Sequence, residues 1–89
     1  MSVAAKPAYG KPQADLVVDA SDLVCPGPVI EAKRAVSSGV EIGQVVQLIS
    51  TDPGTPADLT AWASRTGHEL VTSDVGPGGS FHFWIRRRK

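Results

Sequence analysis

Cys25 is the single cysteine of the chain, and its neighbours could give its sulfur a chemical role. An apolar β-branched stretch precedes it and a stretch with helical spacing follows, so Cys25 is predicted to be the N-cap of a helix. Pro26 and Pro28 then take helical positions where a backbone N–H has no partner within the helix. The N–H of Gly27 can point back at the sulfur, and the helix dipole favours a negative charge there. We therefore predict an exposed Cys25 with a lowered pKa, whose thiolate can accept a transferred sulfur.

The sequence shows no catalytic base for Cys25. The histidines are His68 and His82, and nothing in their spacing from Cys25 suggests a catalytic dyad. A single cysteine also rules out an intramolecular disulfide and a metal site that needs several thiolates from one chain. We therefore expect no metal and no cofactor, and an exchange of sulfur with another protein's thiol. The alternative is an inert, buried Cys25, because a free cysteine often packs as a small apolar residue.

The composition is that of one ordinary globular domain. Of the 89 residues, 42% are hydrophobic and 20% are charged, and the net charge is zero. A general nucleic-acid coat is disfavoured, because binding to phosphate backbones needs a basic face. The one dense basic run, Arg86–Lys89, is interpreted as a frayed, solvated tail, with an RNA contact as the alternative. No stretch approaches the roughly 18 apolar residues of a membrane span, and no signal peptide is evident, so the protein is expected in the cytoplasm.

Hydrophobic periodicity predicts one domain at residues 15–89, preceded by a flexible leader at residues 1–14. Within this domain, apolar β-branched runs predict strands near residues 16–20, 44–51, 69–75 and 81–85. Residues 26–38 and 55–66 have helical spacing, and the second helix begins with a possible capping box, Thr55-Pro56-Ala57-Asp58. Trp62 and Trp84 are expected to be core or half-buried sheet residues.

This βαβαββ order predicts the fold class. A strand-helix-strand opening favours a right-handed crossover and parallel pairing of the first two strands, and the closing hairpin adds an antiparallel pair. We therefore expect an α/β (α+β) two-layer sandwich, with a four-stranded mixed sheet and two helices packed on one face.

Lys33 and Arg34 follow Cys25 by about two helical turns, roughly 12 Å along the helix axis. They are candidates for docking an acidic partner. A solvated helix face is the equal alternative, because such charges are common on helices.

The segment around the cysteine resembles the Cys-Pro-x-Pro signature of the TusA/SirA-like sulfur carriers: it reads Leu23-Val24-Cys25-Pro26-Gly27-Pro28. A second stretch is similar to the family's region around its second helix, namely Thr51-Asp52-Pro53-Gly54, Asp58, Trp62 and Thr66-Gly67-His68-Glu69-Leu70. Residues 83–86 resemble the family's closing strand. The likeness covers residues 15–88, so the predicted leader is not part of the pattern.

The resemblance implies a sulfurtransferase in which Cys25 is catalytic and carries a persulfide, while Pro26, Gly27 and Pro28 position it. Members of this family accept sulfur from cysteine desulfurases or rhodaneses and deliver it to partner proteins, DsrE-like ones included. They serve tRNA thiolation, cofactor biosynthesis or cytoplasmic sulfur oxidation, and the sequence does not select among these pathways.

Two other functions stay open from the sequence. One is a non-catalytic regulatory or RNA-contacting module that uses the sheet face and the basic C-terminus at Arg86–Lys89. The other is a purely structural subunit with a buried Cys25. No membrane partner and no direct nucleic-acid binding are expected for the sulfur carrier.

Overall fold

The computed structural model describes residues 13–89, so the predicted leader lies outside the described residues except for Gln13 and Ala14. The helices and strands follow the predicted order: β1 (Leu16–Ala20), α1 (Gly27–Arg34), β2 (Val45–Ser50), α2 (Thr55–Thr66), β3 (Glu69–Val75) and β4 (Phe81–Arg86). A π-helical turn at Ala35–Gly39 continues α1, and a 3-10 turn at Pro77–Gly79 lies between the last two strands. Across residues 13–89, none of the helices has the length and apolar character that crossing a membrane requires.

The four strands form one mixed sheet in the order β1-β2-β4-β3. β1 pairs in parallel with β2, whereas β4 runs antiparallel to both of its neighbours, β2 and β3. The parallel pair follows from the helical crossover through α1, and the antiparallel pair of β3 and β4 follows from a short connection. The predicted two-layer α+β fold with a mixed sheet is therefore confirmed.

The core lies between the sheet and the two helices. Val46 and Leu48 of β2 and Ile85 of β4 are fully buried there. The helices contribute the predicted apolar stripes, which include Ala32, Ala35 and Val36 after β1 and Leu59, Trp62 and Ala63 in α2. Trp84 lies on the other face of the sheet, where it is also buried and stacks on His82 at a ring distance of 6.3 Å. Both tryptophans are therefore structural, as predicted.

The pairing register shows which loops share an end of the sheet. Ala20 pairs with Ser50, and Ser50 pairs with Phe81, so β1 and β2 both finish at this end. The loops that lead into α1 and α2 therefore start beside each other. We call this end of the sheet, marked by Ala20, Ser50 and Phe81, the Cys25 end. The opposite end carries the start of β2 and the finish of β4, because Val45 pairs with Arg86.

The basic residues near the C-terminus are bound to the fold. Arg86 and Arg88 both pair with Glu69, at 3.4 and 3.0 Å. The guanidinium of Arg87 donates to the carbonyl of Val40 at 2.8 Å. The interpretation of this run as a frayed tail is therefore wrong for Arg86, Arg87 and Arg88. Each of these guanidinium groups already has a hydrogen-bond acceptor within the chain, which weakens the case for an RNA contact through this segment.

His68 makes this attachment sensitive to pH. Its Nδ1 accepts a hydrogen bond from the backbone N–H of Arg88 at 3.1 Å, and its ring lies 5.6 Å from that of Trp62. Burial lowers the pKa of His68 below its ordinary value of 6.5, and the positive charges of Arg87 and Lys89 lower it further. The folded chain therefore favours the neutral ring, which is the form that can accept the hydrogen bond.

Acidification is expected to lower the free energy of unfolding through His68. Well above pH 6.5 the His68 ring is neutral in both the folded and the unfolded chain. As the pH falls through 6.5, the unfolded chain takes up the proton first, so the free energy of unfolding decreases. The decrease ends when the pH falls below the lower pKa of the folded chain. Urea unfolding at about pH 7.5 and about pH 5.5 measures this loss. His68→Gln keeps an acceptor for Arg88 but does not titrate, so its loss should be smaller. Equal losses in both proteins would contradict the assignment to His68.

Candidate functional site

Cys25 lies in the loop between β1 and α1 at the Cys25 end of the sheet, and it is exposed. The loop closes through the N–H of Gly27, which donates to the carbonyl of Val24 at 2.7 Å. The peptide bond between Cys25 and Pro26 is cis. The predicted exposure of Cys25 is confirmed, and the alternative of a buried cysteine is wrong.

The start of α1 differs from the prediction by one residue. Pro26 is the N-cap residue and has no side-chain cap, so Gly27 and Pro28 take the first two helical positions. Cys25 therefore lies just outside the helix. The Gly27 N–H does not point at the sulfur, because the turn from Val24 uses this donor. The predicted stabilisation of a thiolate by this N–H is wrong for the same reason.

Gly27 and Pro28 hold the loop against the body of the protein. A Cβ at Gly27 would lie 3.0 Å from the Cβ of Leu23, so glycine allows this close approach without a shift of Leu23. The ring of Pro28 is fully buried and anchors the first turn of α1. These contacts are compatible with the predicted positioning of Cys25 by Pro26, Gly27 and Pro28, which stays a prediction.

Asp58 is a direct partner of Cys25, although 33 positions separate them. The thiol of Cys25 donates a hydrogen bond to Oδ2 of Asp58, which lies in the first turn of α2. The predicted capping box at Thr55 to Asp58 is not formed, because Gly54 is the N-cap and no side chain caps the helix. The carboxylate of Asp58 faces the sulfur and not the helix start.

Two carboxylates set the acidity of Cys25. The hydrogen bond to Asp58 raises the pKa of Cys25 above its ordinary value of 9.0, and slight desolvation and the negative charges of Asp58 and Asp52 raise it further. A carboxylate that accepts the S–H stabilises the thiol, and it repels the thiolate that would replace it. The predicted lowering of the pKa is therefore wrong, and the unloaded Cys25 is a thiol at neutral pH.

A buried hydroxyl pair holds the loop that carries these carboxylates. Ser50 Oγ and Thr55 Oγ1 lie 2.8 Å apart and are both buried. The N–H of Asp52 donates to Ser50 Oγ at 3.2 Å, and Oδ2 of Asp52 accepts from the N–H of Gly54 at 3.1 Å. These hydrogen bonds fix the loop from β2 to α2 beside the Cys25 loop.

The surface around Cys25 is open to another protein. Leu23 and Val24, just before it, are 39% and 73% exposed. A hollow of about 290 Å³ opens beside the cysteine, lined by Pro26, Val29, Asp58, Ala61 and Arg65. Thiol exchange depends on access to the sulfur, and this arrangement provides it.

The predicted docking residues lie away from the sulfur. Lys33 and Arg34 belong to the last turn of α1, whereas the Cys25 loop leads into its first turn. Arg34 is exposed and pairs with Glu31 at 3.3 Å. Arg65 of α2 is the cationic residue that lines the hollow, and its position was not foreseen from the sequence. A docking role for Lys33 and Arg34 stays a prediction.

Neither histidine contacts Cys25. His68 accepts a hydrogen bond from the backbone of Arg88. His82 lies on the face of the sheet that the helices leave open, and its Nδ1 is 3.1 Å from Nε2 of Gln47. Within residues 13–89, no group of three histidine, cysteine, aspartate or glutamate side chains is placed to hold a metal ion.

Sequence reasoning missed the roles of Asp52 and Asp58. The signal that could have found them is topological, since helices that follow two neighbouring parallel strands begin at the same end of a sheet. The first turn of the second helix therefore had to lie near Cys25, and Asp58 is the acidic residue of that turn.

Known proteins are similar to this chain in both sequence and fold. A family model described as Sulfurtransferase TusA matches residues 16–87. A sulfur carrier protein TusA from Allochromatium vinosum is 44% identical over 73 residues, which cover 82% of this chain and 93% of that protein. A sulfur carrier protein TusA from Pseudomonas putida is 35% identical over 74 residues, covering 83% of this chain and 90% of that protein. The crystal structure of a SirA-like protein from Desulfitobacterium hafniense matches with a TM-score of 0.72 and 27% identity, covering 83% of this chain and 99% of that one.

Proposed function

Because the chain belongs to the TusA family of sulfurtransferases, we propose that it carries a sulfane sulfur as a persulfide on Cys25. Membership of the family makes the protein a sulfur carrier. The observation that supports Cys25 as the carrying residue is its exposure, since it is the one cysteine in the chain. Pro26, Gly27 and Pro28 position the loop from which its sulfur projects.

The transfer of a sulfane sulfur onto Cys25, called loading below, is a thiol exchange that needs no cofactor. The Cys25 thiol loses its proton, and the thiolate attacks the outer sulfur of a donor persulfide, R–S–SH. A new Sγ–S bond forms as the donor S–S bond breaks, and the donor leaves as a thiolate. Delivery is the same reaction with an acceptor thiolate as the attacking group. The number of S–S bonds is unchanged in each step, so no external oxidant or reductant is consumed.

The partners follow from this chemistry. The donor is a protein that holds a persulfide, such as a rhodanese or a cysteine desulfurase, and the acceptor is a DsrE-like or other thiol protein of the cytoplasm. The exposed apolar side chains of Leu23 and Val24 supply a contact surface next to the sulfur. Lys33 and Arg34 would contact an acidic part of such a partner. Sulfur oxidation, tRNA thiolation and cofactor biosynthesis are the pathways that this relay can supply.

Incubation with polysulfide or with a loaded rhodanese is expected to add one or more sulfurs to the chain, about 32 Da each. Mass spectrometry of the intact protein and of its peptides should place every addition on Cys25. Prior alkylation of Cys25 with iodoacetamide is the control, and it should prevent loading. An unmodified native protein, or sulfur on the alkylated one, would count against the proposal.

A further inference from the structure

Asp58 contacts the reacting sulfur, yet the exchange reaction described above assigns it no part. We propose that the Asp58 carboxylate holds the proton on Cys25 in the unloaded chain and slows the loss of the carried sulfur to small thiols such as glutathione. This inference rests on the proposed function and deepens it, because it concerns how readily the same sulfur is taken up and released.

The charged groups around Cys25 make an added negative charge unfavourable. Asp58 comes from α2 and accepts the hydrogen bond of the thiol. Asp52, from the loop between β2 and α2, adds a second negative charge that acts on the sulfur. Arg65 lines the hollow beside Asp58, about two helical turns further along α2. Asp22 is exposed in the loop that leads to Cys25. The two groups that act on the sulfur are thus both carboxylates.

Release of the carried sulfur puts a negative charge on Cys25. An attacking thiolate, R–S⁻, forms a bond to the outer sulfur of Cys25–Sγ–SH, and the product is R–S–SH. The Sγ–S bond breaks, and its electron pair stays on Sγ as a thiolate. This charge develops beside the Asp58 carboxylate, and like charges at contact distance repel. A thiolate of high pKa is also a slow leaving group. Both effects keep the sulfur on Cys25.

The same contact slows the uptake of electrophiles by the unloaded chain. A lower pKa raises the thiolate fraction by tenfold per unit and reduces the intrinsic nucleophilicity by a smaller factor. Removing the Asp58 charge should therefore increase the reaction rate of Cys25 at neutral pH. The expected gain at about pH 7 is roughly threefold to fivefold.

Asp58→Asn is the decisive variant, because the amide has the same shape without the charge. The pH profile of iodoacetamide alkylation, followed by mass spectrometry, should have its midpoint at a lower pH than in the native chain. After loading with polysulfide, the loss of about 32 Da in excess glutathione should be at least about threefold faster. Glu41→Gln removes one charge at the opposite end of the sheet and should change neither measurement.

Asp58→Glu, which restores the carboxylate, separates the charge from a structural effect. It should return the alkylation midpoint and the sulfur loss toward the native values, and a match to Asp58→Asn would overturn the proposal. Asp58→Ser serves as the neutral variant if circular dichroism shows that Asp58→Asn is unfolded. Overlapping profiles and equal sulfur loss in the native and neutral chains would also overturn it. A native chain that accepts no sulfur would instead refute the proposed function, and the alkylation profile would still decide whether Asp58 holds the proton.

Discussion

Cys25→Ser is expected to abolish sulfur loading while the fold stays intact. A hydroxyl cannot form the persulfide, and the chain has no second cysteine to replace it. The serine hydroxyl can still donate to Asp58, so the polar contact of the loop is retained. Because the position is exposed, the free energy of unfolding should change by less than about 0.5 kcal/mol. Intact mass after polysulfide treatment and urea unfolding measure the two effects.

Cys25→Ala is the matched control for the hydrogen bond. It removes the group that donates to Asp58, and it should be as inactive as Cys25→Ser. A serine variant that still accepted sulfur, or still passed it to an acceptor protein, would show that the carrying atom lies elsewhere. Loss of the folded state in both variants would show that the thiol is a structural residue, contrary to its exposure.

Leu48→Ala is expected to cost about 3 to 4 kcal/mol of stability. Leu48 is fully buried in β2, between the two helices and the centre of the sheet. Its truncation removes buried apolar surface and leaves a cavity that the sheet cannot close, because β2 pairs with strands on both sides. The loss is a large fraction of the roughly 5 to 10 kcal/mol expected for a domain of this size. Urea unfolding monitored by tryptophan fluorescence measures it.

Ile49→Ala provides the matched control for this core variant. Ile49 follows Leu48 in the same strand, but its side chain is half-buried on the face that the helices leave open. Both substitutions remove the same number of carbon atoms. The difference between their losses of unfolding free energy therefore measures the contribution of the core that the helices cover. We expect Ile49→Ala to cost less than about 1.5 kcal/mol. Equal costs would mean that the open face is covered in solution.

The fold could be predicted because the apolar residues of each helix and strand repeat with the spacing of that type of secondary structure. Leu16–Ala20 and Glu69–Val75 begin and end where the apolar runs predict, and the buried stripe of α2 repeats at helical spacing. The helical crossover between parallel strands then restricted the topology to few arrangements. Local patterns were sufficient, since every step used residues close together in the sequence.

The acidity of Cys25 could not be predicted in this way. It depends on Asp58, which is remote in sequence, and on a turn at Val24 that takes up the Gly27 N–H. The attachment of Arg86 and Arg88 could not be predicted for the same reason, because their common partner, Glu69, is more than a dozen positions away in the sequence. The exposure of Cys25 was predictable, whereas the charges that face it depend on tertiary contacts.

The register of the sheet also determines how the protein can be handled. β4 finishes at Arg86, opposite the Cys25 end, and the six residues of β2 span about 20 Å between the two ends. A dye, a bead or a further domain attached at Lys89 would lie at the end of the molecule opposite Cys25. The sulfur would then face outward, so immobilised transfer assays should work without a long spacer.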